Sequence, residues 1–306
     1  MKKPYSYIRR RRGNMLVLVG TIPIDDLPLT HGACKYEVDK LTIGDRILEE
    51  KYVTLGTAAM ISAASATCQA LGIKEPYAVV IGDTGMGEGS INMLKFLNDE
   101  IGNLKPKVLT LHYILPTREP FMNFVSTVDS LEKKPFFIAD AGALLNAKAV
   151  KLSQKFDLFT PDPGEISFLA DADAAHPAYV QHFIFDIDQT EIPKLAKEAF
   201  EHGDTPRYLL VKSATDHIVV DGEVVGVIKE PLVPSLEAIG GTGDTITGIV
   251  SALIYSGLDI ADACTKAAQI NRLAGELANP TPATGIAQFI PYIPEAVKKL
   301  FGKGGS

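Results

Sequence analysis

The stretch Leu236-Glu237-Ala238-Ile239-Gly240-Gly241-Thr242-Gly243-Asp244-Thr245-Ile246-Thr247-Gly248 is a glycine-dense turn that runs straight into an apolar segment, with one carboxylate, Asp244, at the junction. The pattern predicts a helix from Thr245 to Ser256. Glycines let backbone come close to a ligand. A helix start offers unpaired N–H groups and the positive end of a dipole, which suits a phosphate or a developing anion. A carboxylate fixed there repels phosphate, so simple phosphate binding explains it badly. It is well sited to take a proton from a hydroxyl attacking a phosphate that the turn holds. The same residues also read as an ordinary helix start with Asp244 as a first-turn acid favoured by the dipole, and the stretch alone leaves both readings open.

Outward from this turn, short β-rich runs alternate with helical stretches. Strands are expected at Met15–Val19, Tyr77–Ile81, Val108–Leu115, Phe136–Ala139, Leu158–Phe159 and Tyr208–Val211. Helices are expected at Thr57–Leu71, from about Ser90 to Ile101, at Pro120–Leu131, Ala143–Phe156, Ile260–Ala278 and near Pro294–Leu300. Another is capped by Thr190, carries Pro193 in its first turn and ends at His202-Gly203. Asp221-Gly222 between His217–Val220 and Glu223–Val225 is a strong hairpin signal. Continuous apolar strands separated by helices imply an α/β three-layer sandwich, with a mostly parallel central sheet covered on both faces. No linker divides the chain, so a single domain over residues 1–306 is expected, with 1–14 as a basic tail. Asp171–Asp188 fits no element.

In such sheets ligands bind beyond the C-terminal ends of the strands. Four groups of residues fall there. Gly82-Asp83-Thr84-Gly85-Met86-Gly87-Glu88-Gly89-Ser90 follows a strand and opens a helix, with four glycines in its first eight residues. It matches neither a Walker A loop nor a dinucleotide fingerprint. It reads as a phosphate or substrate cradle, or as a structural turn. Asp140 lies just past a buried strand, either meeting a hydroxyl or a metal-bound water or capping the next helix. In Thr160-Pro161-Asp162-Pro163-Gly164-Glu165 two acids share one side of a helix start. Mg²⁺ with its waters would relieve their repulsion, while a capping box would also explain the spacing, and the two are compatible. Lys212 stands at a strand end, where an ammonium suits nucleotide phosphates or simply faces solvent.

Composition narrows the function. The 306 residues carry a net charge of −7, with 46% hydrophobic and 22% charged residues, as in ordinary soluble enzymes. That charge argues against nucleic acid as a partner. The basic run Arg9-Arg10-Arg11-Arg12, with Lys2 and Lys3, reads as a solvated tail. No secretory signal and no membrane-spanning run is expected. Cys34, Cys68 and Cys264 lie far apart, which fits a reducing cytoplasm and gives no zinc or disulfide framework. The six histidines show no helical ligand pair, and structural or surface roles are expected for each. No Ser-His-Asp order or nucleophile elbow is present.

In this order the motifs resemble the ribokinase-like superfamily, and most closely its ATP- or ADP-dependent NAD(P)H-hydrate dehydratase branch, over roughly Tyr77–Ala278. Gly241-Thr242-Gly243-Asp244-Thr245 resembles the superfamily's anion hole and catalytic Asp. Pro161–Glu165 resembles the branch's Pro-His-Pro-Gly-Glu, counterpart of the sugar kinases' Asn-x-x-Glu. Asp140 falls in what resembles an Asp-Ala-Asp-Ala-Leu segment, and Val80–Met86 resembles an early glycine loop. Lys212 stands where the family has a Lys-Gly pair, and the helix Ile260–Ala278 is placed like the one beside the adenine.

The resemblance implies ATP or ADP with Mg²⁺, and phosphoryl transfer to a hydroxyl. Asp244 would be the base, Gly241, Thr242, Gly243 and Lys212 the phosphate site, and Asp162 and Glu165 the metal ligands. Gly82, Asp83, Gly85, Gly87 and Asp140 would lie on the substrate side. Elimination of the phosphate would make the enzyme a hydrate dehydratase, and simple release would make it a kinase of a sugar or other small alcohol. A nucleotide-binding regulatory protein without catalysis is a third reading. A nicotinamide oxidoreductase is a weaker fourth, for want of a dinucleotide fingerprint. A homo-oligomer is compatible with any of them. The chain departs from the branch in four ways. Asp162 replaces the His, and Ser213 replaces the Gly after the Lys. His112-Tyr113-Ile114-Leu115-Pro116 stands in place of a Gly-Pro-Gly-Leu-Gly loop, and the first seventy-odd residues have no clear counterpart.

Overall fold

The computed structural model describes residues 14–38, 40–49, 56–174, 189–281 and 283–302. Its strands are β1 (Met15–Ile22), β2 (Thr30–Glu37), β3 (Lys40–Ile43), β4 (Arg46–Glu49), β5 (Tyr77–Gly82), β6 (Pro106–Leu111), β7 (Phe136–Ala139), β8 (Leu158–Phe159), β9 (Tyr208–Val211), β10 (Asp216–Val220) and β11 (Glu223–Ile228). Its helices are α1 (Thr57–Leu71), α2 (Glu88–Leu104), α3 (Arg118–Ser130), α4 (Gly142–Ala149), α5 (Pro163–Ala170), α6 (Ile192–Glu201), α7 (Thr242–Ser256), α8 (Ile260–Ala278), α9 (Ile286–Phe289) and α10 (Ile293–Phe301). The strands form one sheet in the order β11-β10-β9-β8-β7-β6-β1-β5-β2-β3-β4. The central run from β9 to β5 is parallel throughout. Antiparallel strands flank it on both sides.

Alternation along the central strands sorts the core into two layers. Leu16 and Leu18 of β1 face the cluster built with α1, α7, α8 and α10, and Val17 and Val19 face the one built with α2 to α6. Ala78 and Val80 of β5 divide from Val79 and Ile81 in the same way. Both faces of the parallel strands are thus covered, which is why they read as unbroken apolar runs. None of the described helices is long and apolar enough to cross a membrane. The three cysteines are buried and free.

Helix α1 lies against α7 with almost no side chain between them. Its sequence from Thr57 to Cys68 is rich in Ala, Ser and Thr and is buried throughout. At the contact, a Cβ added to Gly248 of α7 would lie 2.1 Å from the Met60 carbonyl oxygen.

Several expectations shift in detail. Helix α7 begins at Thr242, three residues ahead of the expected start, with Gly241 at φ 97 as its N-cap, so Asp244 lies inside the first turn. The expected helix Ala143–Phe156 is instead α4 followed by a 3-10 turn over Ser153–Lys155. The chain turns at Lys151, φ 57, whose N–H bonds the Lys148 carbonyl, and the buried Lys148 ammonium donates to the oxygens of Leu169 (3.3 Å) and Asp171 (2.6 Å) at the end of α5. Strand β6 ends at Leu111 rather than Leu115: His112 N–H still bonds Val19 (2.8 Å), but the chain then parts from β7. Thr190 lies in a 3-10 turn before α6, whose N-cap position is held by Glu191. The Asp221-Gly222 hairpin has both residues at positive φ, 52 and 80, as a type I′ turn requires.

The antiparallel extension β2-β3-β4 was not expected, although Gly44-Asp45 between Ile43 and Arg46 is a two-residue hairpin signal. The basic run at Arg9–Arg12 and most of Asp171–Asp188 lie outside the described residues.

The α1–α7 contact gives a prediction with an informative sign. In an open helix, Gly→Ala stabilises by about 1 kcal/mol. Gly248→Ala is expected to destabilise by about 1–3 kcal/mol, as overpacking does. Urea unfolding of the variant would show it, and a stabilised variant would mean that the helices have room to part.

Candidate active site

Each element entering the site delivers its functional side chain at the residue where regular pairing ends. His112 follows β6, Asp140 follows β7, Thr160 to Asp162 follow β8, and Lys212 follows β9. Asp244 meets them from the first turn of α7. Asp140, Asp162, Glu165, Lys212 and the turn from Gly240 to Asp244 line a cavity of about 480 Å³, and His112 and Thr160 are buried behind it. An apolar wall of Leu232, Val233 and Leu236 closes another part of it.

In α7 the first N–H to bond back is that of Thr245, to Gly241 oxygen at 3.0 Å. The N–H groups of Thr242, Gly243 and Asp244 are the unpaired donors of a helix start and point along the axis out of its N-terminus. Asn271 of α8 secures this turn, with its Oδ1 accepting from Thr245 Oγ1 (2.7 Å) and its Nδ2 donating to Thr242 oxygen (3.2 Å). Asp244 is held from behind. Its Oδ2 accepts the Gly56 N–H at 2.7 Å, and its Oδ1 lies 3.1 Å from His112 Nε2. The side chain keeps 14% of its surface exposed.

Asp140 and Lys212 form a buried ion pair with Nζ 2.6 and 2.8 Å from the two carboxylate oxygens. Asp140 also accepts from Thr247 Oγ1 (2.5 Å) and from the Ala141 N–H (2.8 Å), which reaches it through a backbone at φ 50. Lys212 has three donors, of which Asp140 takes two. Burial opposes the Lys212 charge, but the charges of Asp140 and Glu165 outweigh it and the ammonium's pKa is pushed up. Burial likewise works against the Asp140 carboxylate, and Lys212 and His112 overcome it, so its pKa lies well below the usual carboxylate range.

Asp162 and Glu165 form the capping box of α5: Asp162 Oδ1 accepts the Glu165 N–H at 2.7 Å, and Glu165 Oε2 accepts the Asp162 N–H at 2.8 Å. This arrangement occupies one oxygen of each acid, and both residues line the cavity. Burial, with the negative charges of Asp162 and Asp140, pushes the Glu165 carboxyl up despite Lys212. Each acid keeps one carboxylate oxygen outside the cap, and a cation held there would offset the negative charge around Glu165.

Beside the pocket, Arg272 of α8 works as a fastener. Its Nε bonds Asp216 at 2.8 Å, Nη2 donates to the oxygens of Ser213 (3.1 Å) and Ala214 (2.7 Å), and Nη1 donates to Lys229 oxygen (3.2 Å).

Eight of the residues expected at the site thus come together: Asp140, Asp162, Glu165, Lys212, Gly241, Thr242, Gly243 and Asp244. The other four, Gly82, Asp83, Gly85 and Gly87, do not line the cavity. Asp83 turns its carboxylate onto its own loop, accepting the N–H groups of Gly85 (3.1 Å), Gly87 (3.0 Å) and Ser90 (2.9 Å). Sequence reading missed His112, Gly56 and Tyr113. For His112 the available signal was its place directly after an apolar strand, the same place that marks Asp140 and Lys212.

His112 is fully buried. Its Nδ1 lies 3.1 Å from Thr57 Oγ1, and its Nε2 is also 3.5 Å from Asp140 Oδ2. Burial disfavours the imidazolium, but the hydrogen bonds and charges of Asp140 and Asp244 prevail and raise its pKa to about 9.

The fold is shared with solved ribokinase-like proteins. A ribokinase-like superfamily protein from Enterococcus faecalis shares the fold with a TM-score of 0.54 and 13% identity, over 98% of this chain and 91% of that one. The chain belongs to the NAD(P)H-hydrate dehydratase family, whose model matches residues 113–291. It is 38% identical over 239 residues to an uncharacterized protein of Methanocaldococcus jannaschii, covering 78% of this chain and 98% of that protein. It is 32% identical over 139 residues to the ADP-dependent (S)-NAD(P)H-hydrate dehydratase of Cenarchaeum symbiosum, covering 45% of this chain and 43% of that protein.

The raised His112 pKa makes stability pH-dependent. The native state binds the proton more tightly than an unfolded chain, whose histidine titrates near 6.5. The contribution is therefore complete below about pH 6.5 and is lost as pH rises through about 9, on the order of 3 kcal/mol in all. Urea midpoints of the wild type should fall between pH 6.5 and 10 more steeply than those of His112→Gln. Parallel slopes would mean that another group governs the alkaline loss.

Proposed function

We propose that this protein dehydrates hydrated NAD(P)H at the expense of ATP or ADP, phosphorylating the hydroxyl of the hydrated nicotinamide and then eliminating phosphate. The observation that carries this reading is Asp244 in the first turn of α7, inside the cavity and beside the unpaired N–H groups of Thr242 and Gly243. These donors suit the charge that spreads over the phosphoryl oxygens during transfer. Lys212, with one N–H to spare, adds a fixed positive charge where the phosphates would lie. Asp244 takes the proton of the attacking hydroxyl, and the donors behind it leave its cavity-facing lone pairs available. Asp140 keeps Lys212 in place and charged. The apolar wall of Leu232, Val233 and Leu236 offers a face for the base of the nucleotide. Mg²⁺ would be held through Asp162 and Glu165, and when bound it supplies positive charge at the terminal phosphates. Membership of the dehydratase family and the named dehydratase relative support the substrate.

A second reading, a kinase of a sugar or other small alcohol, is favoured by the acceptor side. There His112-Tyr113-Ile114-Leu115-Pro116 replaces a glycine-rich loop, and Tyr113, 46% exposed, lines the cavity. A bulky phenol in that wall changes what fits beside Asp244.

Incubation with hydrated NADH, Mg²⁺ and either ATP or ADP, following both NADH recovery and nucleotide consumption, separates the two. NADH recovery is expected; nucleotide turnover only with some other alcohol would establish the kinase instead. Asp244→Asn should bind nucleotide nearly normally while kcat falls by about three orders of magnitude or more, as loss of a base acting with its site does. Unchanged turnover would sink the base assignment. Glu165→Gln keeps an oxygen for the Asp162 N–H and so preserves the cap. It is expected to leave the melting temperature near that of the wild type while raising the Mg²⁺ needed for half-maximal activity about 10-fold or more. An unaltered Mg²⁺ titration would leave Glu165 a capping residue.

A further inference from the structure

The Asp244 carboxylate is contacted from the buried side by two groups that lie outside the family-matched residues 113–291, Gly56 and His112. We infer that His112 is a positioning residue for Asp244: its imidazole holds Oδ1 while the Gly56 N–H holds Oδ2, fixing the plane of the carboxylate against the cavity. The inference rests on the reading of Asp244 as the base.

His112 acts through Asp244, because no part of its side chain is exposed to the cavity. Its own place is determined on every side. Its N–H bonds Val19 at 2.8 Å, Nδ1 pairs with Thr57 Oγ1 at 3.1 Å, and Tyr113 meets the ring edge-on at 4.6 Å between centroids. On the β1 side, Gly20 leaves the room: a Cβ there would lie 2.4 Å from Thr57 Oγ1 and 3.2 Å from the His112 Cβ. The charged groups facing the ring are Asp140 from the end of β7 and Asp244 from α7, with Lys212 behind Asp140. Among the described residues, the groups facing the ring from α1 and β1 are the uncharged Thr57 and Gly20.

Lys212 grips both oxygens of Asp140, while the imidazole lies nearer Asp244, 3.1 Å from its Oδ1 against 3.5 Å from Asp140 Oδ2. A base that must meet a hydroxyl in one geometry gains from being held before the substrate arrives, and a donor on each oxygen removes the rotation that a lone first-turn aspartate would retain.

Three variants test this: His112→Ala, His112→Gln and Asp244→Asn, with each variant's melting temperature measured. Loss of a hydrogen bond to a charged group corresponds to about 10- to 100-fold in rate. His112→Ala is therefore expected to lose that much kcat while KM for the nucleotide stays within about 2-fold, the pattern of an interaction serving the transition state. In His112→Gln the side-chain amide N–H reaches the place of Nε2, and most of the lost kcat should return. Imidazole ¹⁵N resonances give a readout besides activity: a histidine titrating near 9 in the wild type should titrate lower in Asp244→Asn. Unchanged kcat in His112→Ala overturns the proposal. So does a kcat that His112→Gln fails to restore although its melting temperature recovers, and so does a ring titration indifferent to Asp244→Asn. Failure of the underlying reading looks different, as turnover retained in Asp244→Asn whatever the imidazole does.

Discussion

Backbone contact between α1 and α7 is the constraint on which the site depends. At Gly248 the two helices approach so closely that no side chain fits between them, with the Met60 carbonyl and the Ala64 N–H of α1 facing it. Both helices start at the C-terminal edge of the sheet. Bringing their axes together therefore brings their N-termini together, and the Gly56 N–H reaches the Asp244 carboxylate across 188 positions of sequence. A bulkier α1 would push the start of α7 away from the strand ends that supply Asp140 and Lys212. The packing is thus a distance standard for the chemistry above it.

A second ordering principle is the pairing of buried charges. Four acids, Asp140, Asp162, Glu165 and Asp244, converge on one cavity with Lys212 and His112 among them. Buried charge survives only when paired and hydrogen-bonded. Asp140 meets that condition completely, with Lys212, Thr247 and the Ala141 N–H around it. Glu165 does not, and its burial beside Asp162 and Asp140 pushes its carboxyl up.

Much of this was legible in the sequence because strand ends are local. Asp140 and Lys212 each follow an apolar run directly, and the rule that ligands meet parallel sheets at those ends selects them without any knowledge of packing. The turn at Gly241 to Asp244 carries its own signal in glycine density beside an acid. His112 obeys the same strand-end rule, yet its meaning lies in Asp244 and Thr57, residues 132 and 55 positions away. A lone histidine after a strand gives no hint of such partners. The Gly82–Ser90 loop illustrates the opposite error. Its glycines serve a tight turn around the Asp83 carboxylate, and glycine density alone does not distinguish a loop that wraps a ligand from one that wraps its own side chain. The extension β2-β3-β4 escaped because its one clear mark, the Gly44-Asp45 turn, joins strands of only four residues each.

Arg272 has a mechanical consequence for the pocket wall. One guanidinium joins α8 to the loop at Ser213 and Ala214, to Asp216 at the start of β10 and to Lys229 just past β11. The loop and the paired ends of β10 and β11 are thereby tied to a nineteen-residue helix. A molecule settling against that wall meets a surface already stiff, so little disorder remains to be lost on contact, and affinity is spared the entropic cost that a loose loop would impose.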